Sequence, residues 1–293
     1  MAQGNPEVAF SLSGGGSLGA VQVGMVKALY ERGIAPDLLV GTSAGAINAG
    51  FLASRPPSVD TAQELEDIWL SLRRADVFPV QAVRGLLGFV GRRPYLVPNT
   101  GLRTLLRQHL GLSRLEDARI PLTVIATDLL SGREVELSEG PAQEAILASA
   151  AIPGVFPPVP WERMELIDGA ISNNTPLSPA LASGAQRIYV LPTGSACGLT
   201  EAPQSAIGVL MHSVGLLVMQ RLIREIDRFA DSRELIVLPP PCPLHTQAVD
   251  FSDSAELIRR GRADTHRYLD ALDAGRVEAP LRLSMHDHLA PQI

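Results

Sequence analysis

Cysteine and lysine are nearly absent from this chain of 293 residues, which has two cysteines, Cys197 and Cys242, and a single lysine, Lys27, beside 24 arginines. Two thiols cannot build a disulfide framework or a cysteine-rich zinc site, so a reduced, cytoplasmic setting is the default expectation. Schiff-base and Ser-Lys chemistry is left with one lysine, in an amphipathic helical pattern remote from every motif. Positive charge is also in deficit. The 25 basic and 31 acidic residues give a net charge of −6 with no basic cluster, which argues against a nucleic-acid partner. Long apolar runs are missing too. The longest, residues 207–219, includes His212 and Ser213 and falls short of the roughly 20 residues that a membrane-spanning helix needs. Residues 1–10 have neither the basic nor the apolar region of a cleaved signal.

What is present is 46% hydrophobic residues, patterned as strands alternating with helices. Val8 to Leu12 reads as a strand that runs into Ser13-Gly14-Gly15-Gly16-Ser17-Leu18-Gly19 and then a helix ending at Gly33. Leu38 to Val40 reads as a second strand, followed by Gly41-Thr42-Ser43-Ala44-Gly45 and a helix over 44–53. Further helices are expected over 61–72, 102–110, 142–150, 176–182 and 206–230, with strands at 122–127, 135–137, 166–167, 188–191 and 235–238. Such alternation predicts an α/β protein with a parallel-rich sheet. Residues 77–100 mix glycine, apolar and basic residues and read as a mobile surface segment. With no repeat and no linker, one domain over 1–283 and a loosely held tail over 284–293 is the simplest organisation.

Gly41-x-Ser43-x-Gly45 between a strand and a helix is the setting of a nucleophile elbow. The sharp turn exposes the serine Oγ, the elbow glycines Gly41 and Gly45 remove side chains that would collide with strand and helix, and the following helix N-terminus favours negative charge. Gly14, Gly15 and Gly16 offer successive backbone N–H groups to a tetrahedral oxyanion. The same loop matches the dinucleotide fingerprint G-x-G-x-x-G. That reading needs a carboxylate after the second strand, where only Gly41, Thr42 and Ser43 stand. For a base, none of the six histidines sits in a supporting motif, although His245 fits the Ser-Asp-His chain order; Asp168, ending a short apolar run before Gly169, is the better candidate.

Taken together, Ser13 to Gly19, Gly41 to Ala46, Ala148-Ser149-Ala150-Ala151-Ile152-Pro153 through Phe156-Pro157-Pro158, and Asp168-Gly169-Ala170 resemble the patatin-like phospholipase family. Ala126-Thr127-Asp128-Leu129 with Gly132 is similar to that family's hairpin. The resemblance runs from about residue 8 to 192. It implies a three-layer α/β/α fold with a mostly parallel central sheet, Ser43 as nucleophile, Asp168 as proton acceptor, and the Gly14 to Gly16 amides as oxyanion hole. It implies a lipid acyl ester as substrate, and no metal or other cofactor. One departure is Leu18, where the family commonly carries Arg or Lys.

The function expected is a serine acyl-hydrolase of lipase, phospholipase A or lysophospholipase type. An acyltransferase using the same dyad and a non-catalytic lipid-binding module are the alternatives. Leu86, Leu87, Phe89 and Val90, followed by Arg92 and Arg93, would suit a flap for transient membrane-surface contact, the plainer reading being a partly buried loop.

Overall fold

The computed structural model describes residues 5–78, 94–194, 202, 204, 206–230, 234–244 and 246–286. Eight strands form one sheet: β1 (Val8–Leu12), β2 (Leu38–Thr42), β3 (Leu122–Asp128), β4 (Glu134–Leu137), β5 (Val159–Trp161), β6 (Met164–Asp168), β7 (Arg187–Leu191) and β8 (Glu234–Val237). Their order is β5-β6-β3-β2-β1-β7-β8, with β4 also on β3. The five strands from β3 to β8 are mutually parallel, whereas β4, β5 and β6 pair antiparallel at one side.

Successive residues of a strand point to opposite faces, and in the central strands both faces are apolar. Phe10 and Leu12 of β1, Leu39 of β2, and Tyr189 and Leu191 of β7 enter one core; Ala9, Leu38, Val40, Ile188 and Val190 enter the other. The first core is closed by α1 (Ala20–Glu31), α2 (Ala44–Ala53), α3 (Val59–Ser71), α4 (Arg74–Val77), α5 (Thr100–His109), α6 (Ala142–Ser149) and α10 (Ser254–Asp273). The short α7 (Ala170–Asn173) follows β6, and α8 (Leu177–Ala182) and α9 (Ala206–Phe229) close the second core. Helices on both faces of a mostly parallel sheet make this an α/β/α protein; the sequence pattern predicts the parallel-rich α/β sheet, and the resemblance implies the three layers.

Differences from the expected pattern have local causes. The strand before Ser43 extends to Thr42, because Gly41 and Thr42 continue its parallel register against Val124 and Ile125. Val77 and Phe78, expected in a surface segment, are buried, and the Phe78 ring stacks on Phe156 with centroids 5.3 Å apart. The apolar and arginine residues expected as a flap, 86–93, lie outside the described residues, as do His245, His288 and tail residues 287–293. Cys242 is disulfide-bonded, a bond that the expectation of a reduced chain did not include. Among the described residues no helix is long and apolar enough to cross a membrane.

Candidate active site

Ser43 stands at the junction of β2 and α2 with φ 54° and ψ −121°, in the region that side chains other than glycine rarely adopt. Such a conformation costs on the order of 1–3 kcal/mol and persists only where the surroundings over-determine it. Here they do. The Ser43 carbonyl accepts from Ala46 and Ile47 N–H at 2.9 and 3.1 Å, and its own N–H donates to Ser149 Oγ at 2.8 Å. The elbow glycines allow this packing: a Cβ on Gly41 would stand 2.7 Å from the Gly45 carbonyl oxygen, and one on Gly45 would stand 2.2 Å from that of Leu12.

Asp168 arrives from a different part of the sheet. Thr42 pairs with Ile125 across β2 and β3, and Ala126 pairs with Asp168 across β3 and β6, so the register sets Ser43 and Asp168 at one level with β3 between them. Gly169 then lets the chain cross β3, since a Cβ there would stand 2.2 Å from the Ile125 carbonyl oxygen. Ser43 Oγ donates to Asp168 Oδ2 at 2.7 Å, and Ala170 N–H donates to Asp168 Oδ1 at 2.8 Å. Asp168 is buried, and loss of hydration raises its pKa from 3.8 to about 6, against the opposing pull of those two hydrogen bonds. No described histidine bonds to either residue; His109 lines the pocket described below, and His266 pairs with Glu31. Among the described residues no cluster of His, Cys, Asp or Glu could hold a metal ion.

The glycine loop lies against this pair, its Gly14 Cα close to the Ser43 side chain. Of the three amides expected to serve together, Gly14 N–H is already committed to the Asn174 carbonyl at 3.0 Å. The N–H groups of Gly15 and Gly16 have no acceptor among the described residues. The loop's outer side is fixed by polar groups that sequence reasoning missed. Gln22 donates to the Ser13 and Leu191 carbonyls at 2.8 and 2.9 Å, Asn48 donates to Gln22 Oε1 at 2.9 Å, and Trp69 Nε1 donates to Asn48 Oδ1 at 2.9 Å. Gln22 and Asn48 are fully buried polar residues, each directly between apolar neighbours in its helix, which is the signal that would have found them.

Ser43 opens onto an apolar pocket with about 840 Å³ of empty space, open solvent at its mouth included. Ala44, Ile47 and Phe51 of α2 line it at i, i+3 and i+7, so it follows one stripe of that helix for about 10 Å at 1.5 Å rise per residue. Leu65, Trp69, Phe78, Leu102, Leu106 and Phe156 complete its walls.

A strand-turn-helix serine bonded to a buried aspartate beside a glycine loop is the arrangement that the sequence resemblance implied, and the patatin-like phospholipase family model matches residues 10–181, more than half of the chain. The chain belongs to the patatin-like phospholipase family. An uncharacterised NTE family protein of Mycobacterium tuberculosis is 32% identical over 197 residues, covering 66% of this chain and 51% of that protein. A lysophospholipase of Mycosarcoma maydis is 28% identical over 187 residues, covering 63% of this chain and 9% of its own length. The chain thus matches about half, or much less, of the length of these curated relatives. Among solved structures, VipD from Legionella pneumophila aligns with a TM-score of 0.48 at 15% identity, covering 92% of this chain and 67% of that one. The matched region contains Ser43 and Asp168 but ends before β7 and Thr193.

Proposed function

We propose that this protein hydrolyses lipid acyl esters through a Ser43-Asp168 dyad and an acyl-enzyme intermediate. The observation that carries the proposal is the 2.7 Å hydrogen bond from Ser43 Oγ to Asp168 Oδ2 at the mouth of an apolar pocket. Asp168, with a pKa near 6, is mostly ionised at neutral pH and basic enough to draw the serine proton as the nucleophile attacks. The Ser43 proton passes to Asp168 as the Oγ–C bond forms, and the carbonyl electron pair moves onto oxygen. Collapse of the tetrahedral adduct breaks the bond to the alcohol or lysolipid, which takes the proton from Asp168. Water then adds to the acyl-enzyme, gives a proton to Asp168, and releases the fatty acid as Ser43 regains its proton.

Two further features support this reading. The Gly15 and Gly16 amides, lacking acceptors among the described residues, are the donors available to the oxyanion; a single such donor contributes about 3 kcal/mol. The Ala44, Ile47 and Phe51 stripe offers an acyl chain a continuous apolar wall beginning at the nucleophile. The direct test is intact mass after a fluorophosphonate. One adduct on the wild type, lost in folded Ser43→Ala, is expected; a folded wild type left unlabelled would favour a non-catalytic lipid-binding module instead.

The pocket also predicts chain-length selectivity. Each methylene withdrawn from water contributes about 0.8 kcal/mol, roughly fourfold in kcat/KM. Ile47→Trp fills the stripe one turn beyond Ser43, so esters of long acids should lose about 10²-fold or more in kcat/KM, while acetyl and butyryl esters change little. Equal losses across a p-nitrophenyl ester series would show that the acyl chain lies elsewhere.

A further inference from the structure

The glycine loop presents a geometric question that the dyad does not answer: what aims the Gly15 and Gly16 amides, which have no acceptor among the described residues. In a trans peptide the N–H and C=O point in opposite directions, so fixing the carbonyl fixes the direction of the next residue's N–H. The only cis bonds among the described residues are Cys242-Pro243 and Ala279-Pro280, so the peptide joining Gly14 to Gly15 is trans. Its carbonyl accepts from Thr193 Oγ1 at 2.6 Å, the shortest hydrogen bond to the loop, with a longer one from Asn174 Nδ2 at 3.4 Å. The next peptide is held in the same manner, the Gly15 carbonyl accepting from Leu18 N–H at 3.2 Å.

Thr193 is built to hold this position. It is 3% exposed, its own N–H donates to Ser13 Oγ at 3.0 Å, and its side chain lies so close to the Gly15 Cα that a Cβ there would stand 2.2 Å from Thr193 Oγ1. It follows β7, whose Leu191 pairs with Leu12 immediately before the loop, so the sheet register itself brings Thr193 beneath Gly14. On the other side of the loop Gly16 and Ser43 line the same pocket.

We infer that Thr193, twelve residues beyond the family match, is a positioning residue for the oxyanion hole. By clamping the Gly14 carbonyl on the side away from the pocket, it turns the Gly15 N–H toward the site where the oxyanion develops. The inference rests on the hydrolase reading above. Thr193 touches no substrate, and its effect reaches the reaction only through the orientation of the Gly15 amide.

The test uses the full-length protein as wild type, Thr193→Val, which removes the hydroxyl at nearly constant volume, Thr193→Ala as a second variant that cannot overpack, and Thr193→Ser, which restores the hydroxyl. Hydrolysis of p-nitrophenyl butyrate is expected to lose at least tenfold in kcat in the Val and Ala variants, toward the roughly 10²-fold that loss of one donor costs, with KM within about twofold and activity recovered in the Ser variant. A trifluoromethyl ketone, which adds to Ser43 as an anionic hemiketal, should weaken in parallel; the matching uncharged alcohol should bind as before. Wild-type kcat in either folded hydroxyl-less variant, or equal weakening of ketone and alcohol, would overturn the inference while leaving the hydrolase reading standing. A wild type that neither turns over the ester nor accepts a fluorophosphonate would remove that reading and the role of Thr193 with it.

Discussion

Asp168→Asn is expected to fold, to resist unfolding better than the wild type at pH 8, and to lose about 10²–10⁴-fold in kcat, the usual contribution of a positioned general base. The activity loss follows because asparagine cannot accept the serine proton. The fold should survive because asparagine can keep both hydrogen bonds: its oxygen can accept from Ala170 N–H as Asp168 Oδ1 does, and its NH₂ can donate to Ser43 Oγ. The stability gain follows from the buried charge. A carboxyl with pKa about 6 in the folded chain and 3.8 as its ordinary value binds more protons folded than unfolded between those values. Its contribution is therefore favourable at low pH and is lost as pH rises through about 6, which leaves the wild type burdened at pH 8 by something on the order of 3 kcal/mol. Asn carries no such burden. Denaturant unfolding at pH 8 and pH 5 checks this: the variant's advantage should shrink toward the lower pH, and an advantage independent of pH would refute the account.

The same ionisation governs the wild-type rate. With Asp168 as base, kcat/KM should climb with pH through about 6 and level off above it, where an ordinary carboxylate would have levelled off two units lower. An acid limb near 4 would mean that the carboxyl is hydrated in solution. A site that stores a desolvated carboxylate and a strained serine side by side is less stable than its sequence could make it, which is a common condition of catalytic centres.

How much of this was legible beforehand depends on how local each feature is. Ser43 could be read from five residues, because a strand, a serine flanked at two positions by glycine, and a helix dictate one sharp turn. The two faces of β1, β2 and β7 could be read as unbroken apolar runs, because both sides of a central parallel strand are buried. Asp168 was legible only as an Asp-Gly after a short apolar run. Its place beside Ser43 depends on β6 pairing antiparallel with β3, and no spacing within 164–168 encodes that choice of neighbour. Thr193 and Asn174 act through backbone groups of distant residues, so nothing in their own neighbourhood marks them; Ser149 stands in a block that carries the family resemblance, but nothing there shows that it accepts from the Ser43 N–H. The fully buried Gln22 and Asn48 differ, since a polar side chain inside an apolar helical stripe must find partners. Phe78 was misread because Pro79 follows it and glycines come soon after; the aromatic stack with Phe156 outweighs that local signal.

Gly45→Ala should lower stability markedly, although propensity alone predicts the reverse. Gly45 lies in the first turn of α2, where alanine would be favoured over glycine by about 1 kcal/mol. The added Cβ, however, would stand 2.2 Å from the Leu12 carbonyl oxygen, 2.6 Å from its carbon and 2.6 Å from the Ser13 carbonyl oxygen. All three are backbone atoms at the end of β1, so no rotamer change relieves them. Overpacking of a rigid site costs on the order of 1–3 kcal/mol, which for a chain of this size lowers Tm by roughly 2–5 °C. The displacement also enters the oxyanion loop directly, because Leu12 and Ser13 lead into Gly14, so residual folded protein should have lost most of its esterase activity. Gly215→Ala, in α9, is the control: a Cβ there meets nothing within 4 Å, and propensity should make that variant slightly more stable. Opposite signs for the two substitutions in thermal unfolding would show that α2 presses against the end of β1 closely enough to require glycine at position 45. Matching signs would mean that the elbow can open, and that Ser43 is held by its hydrogen bonds to Ser149 and Asp168 rather than by the close approach of helix and strand.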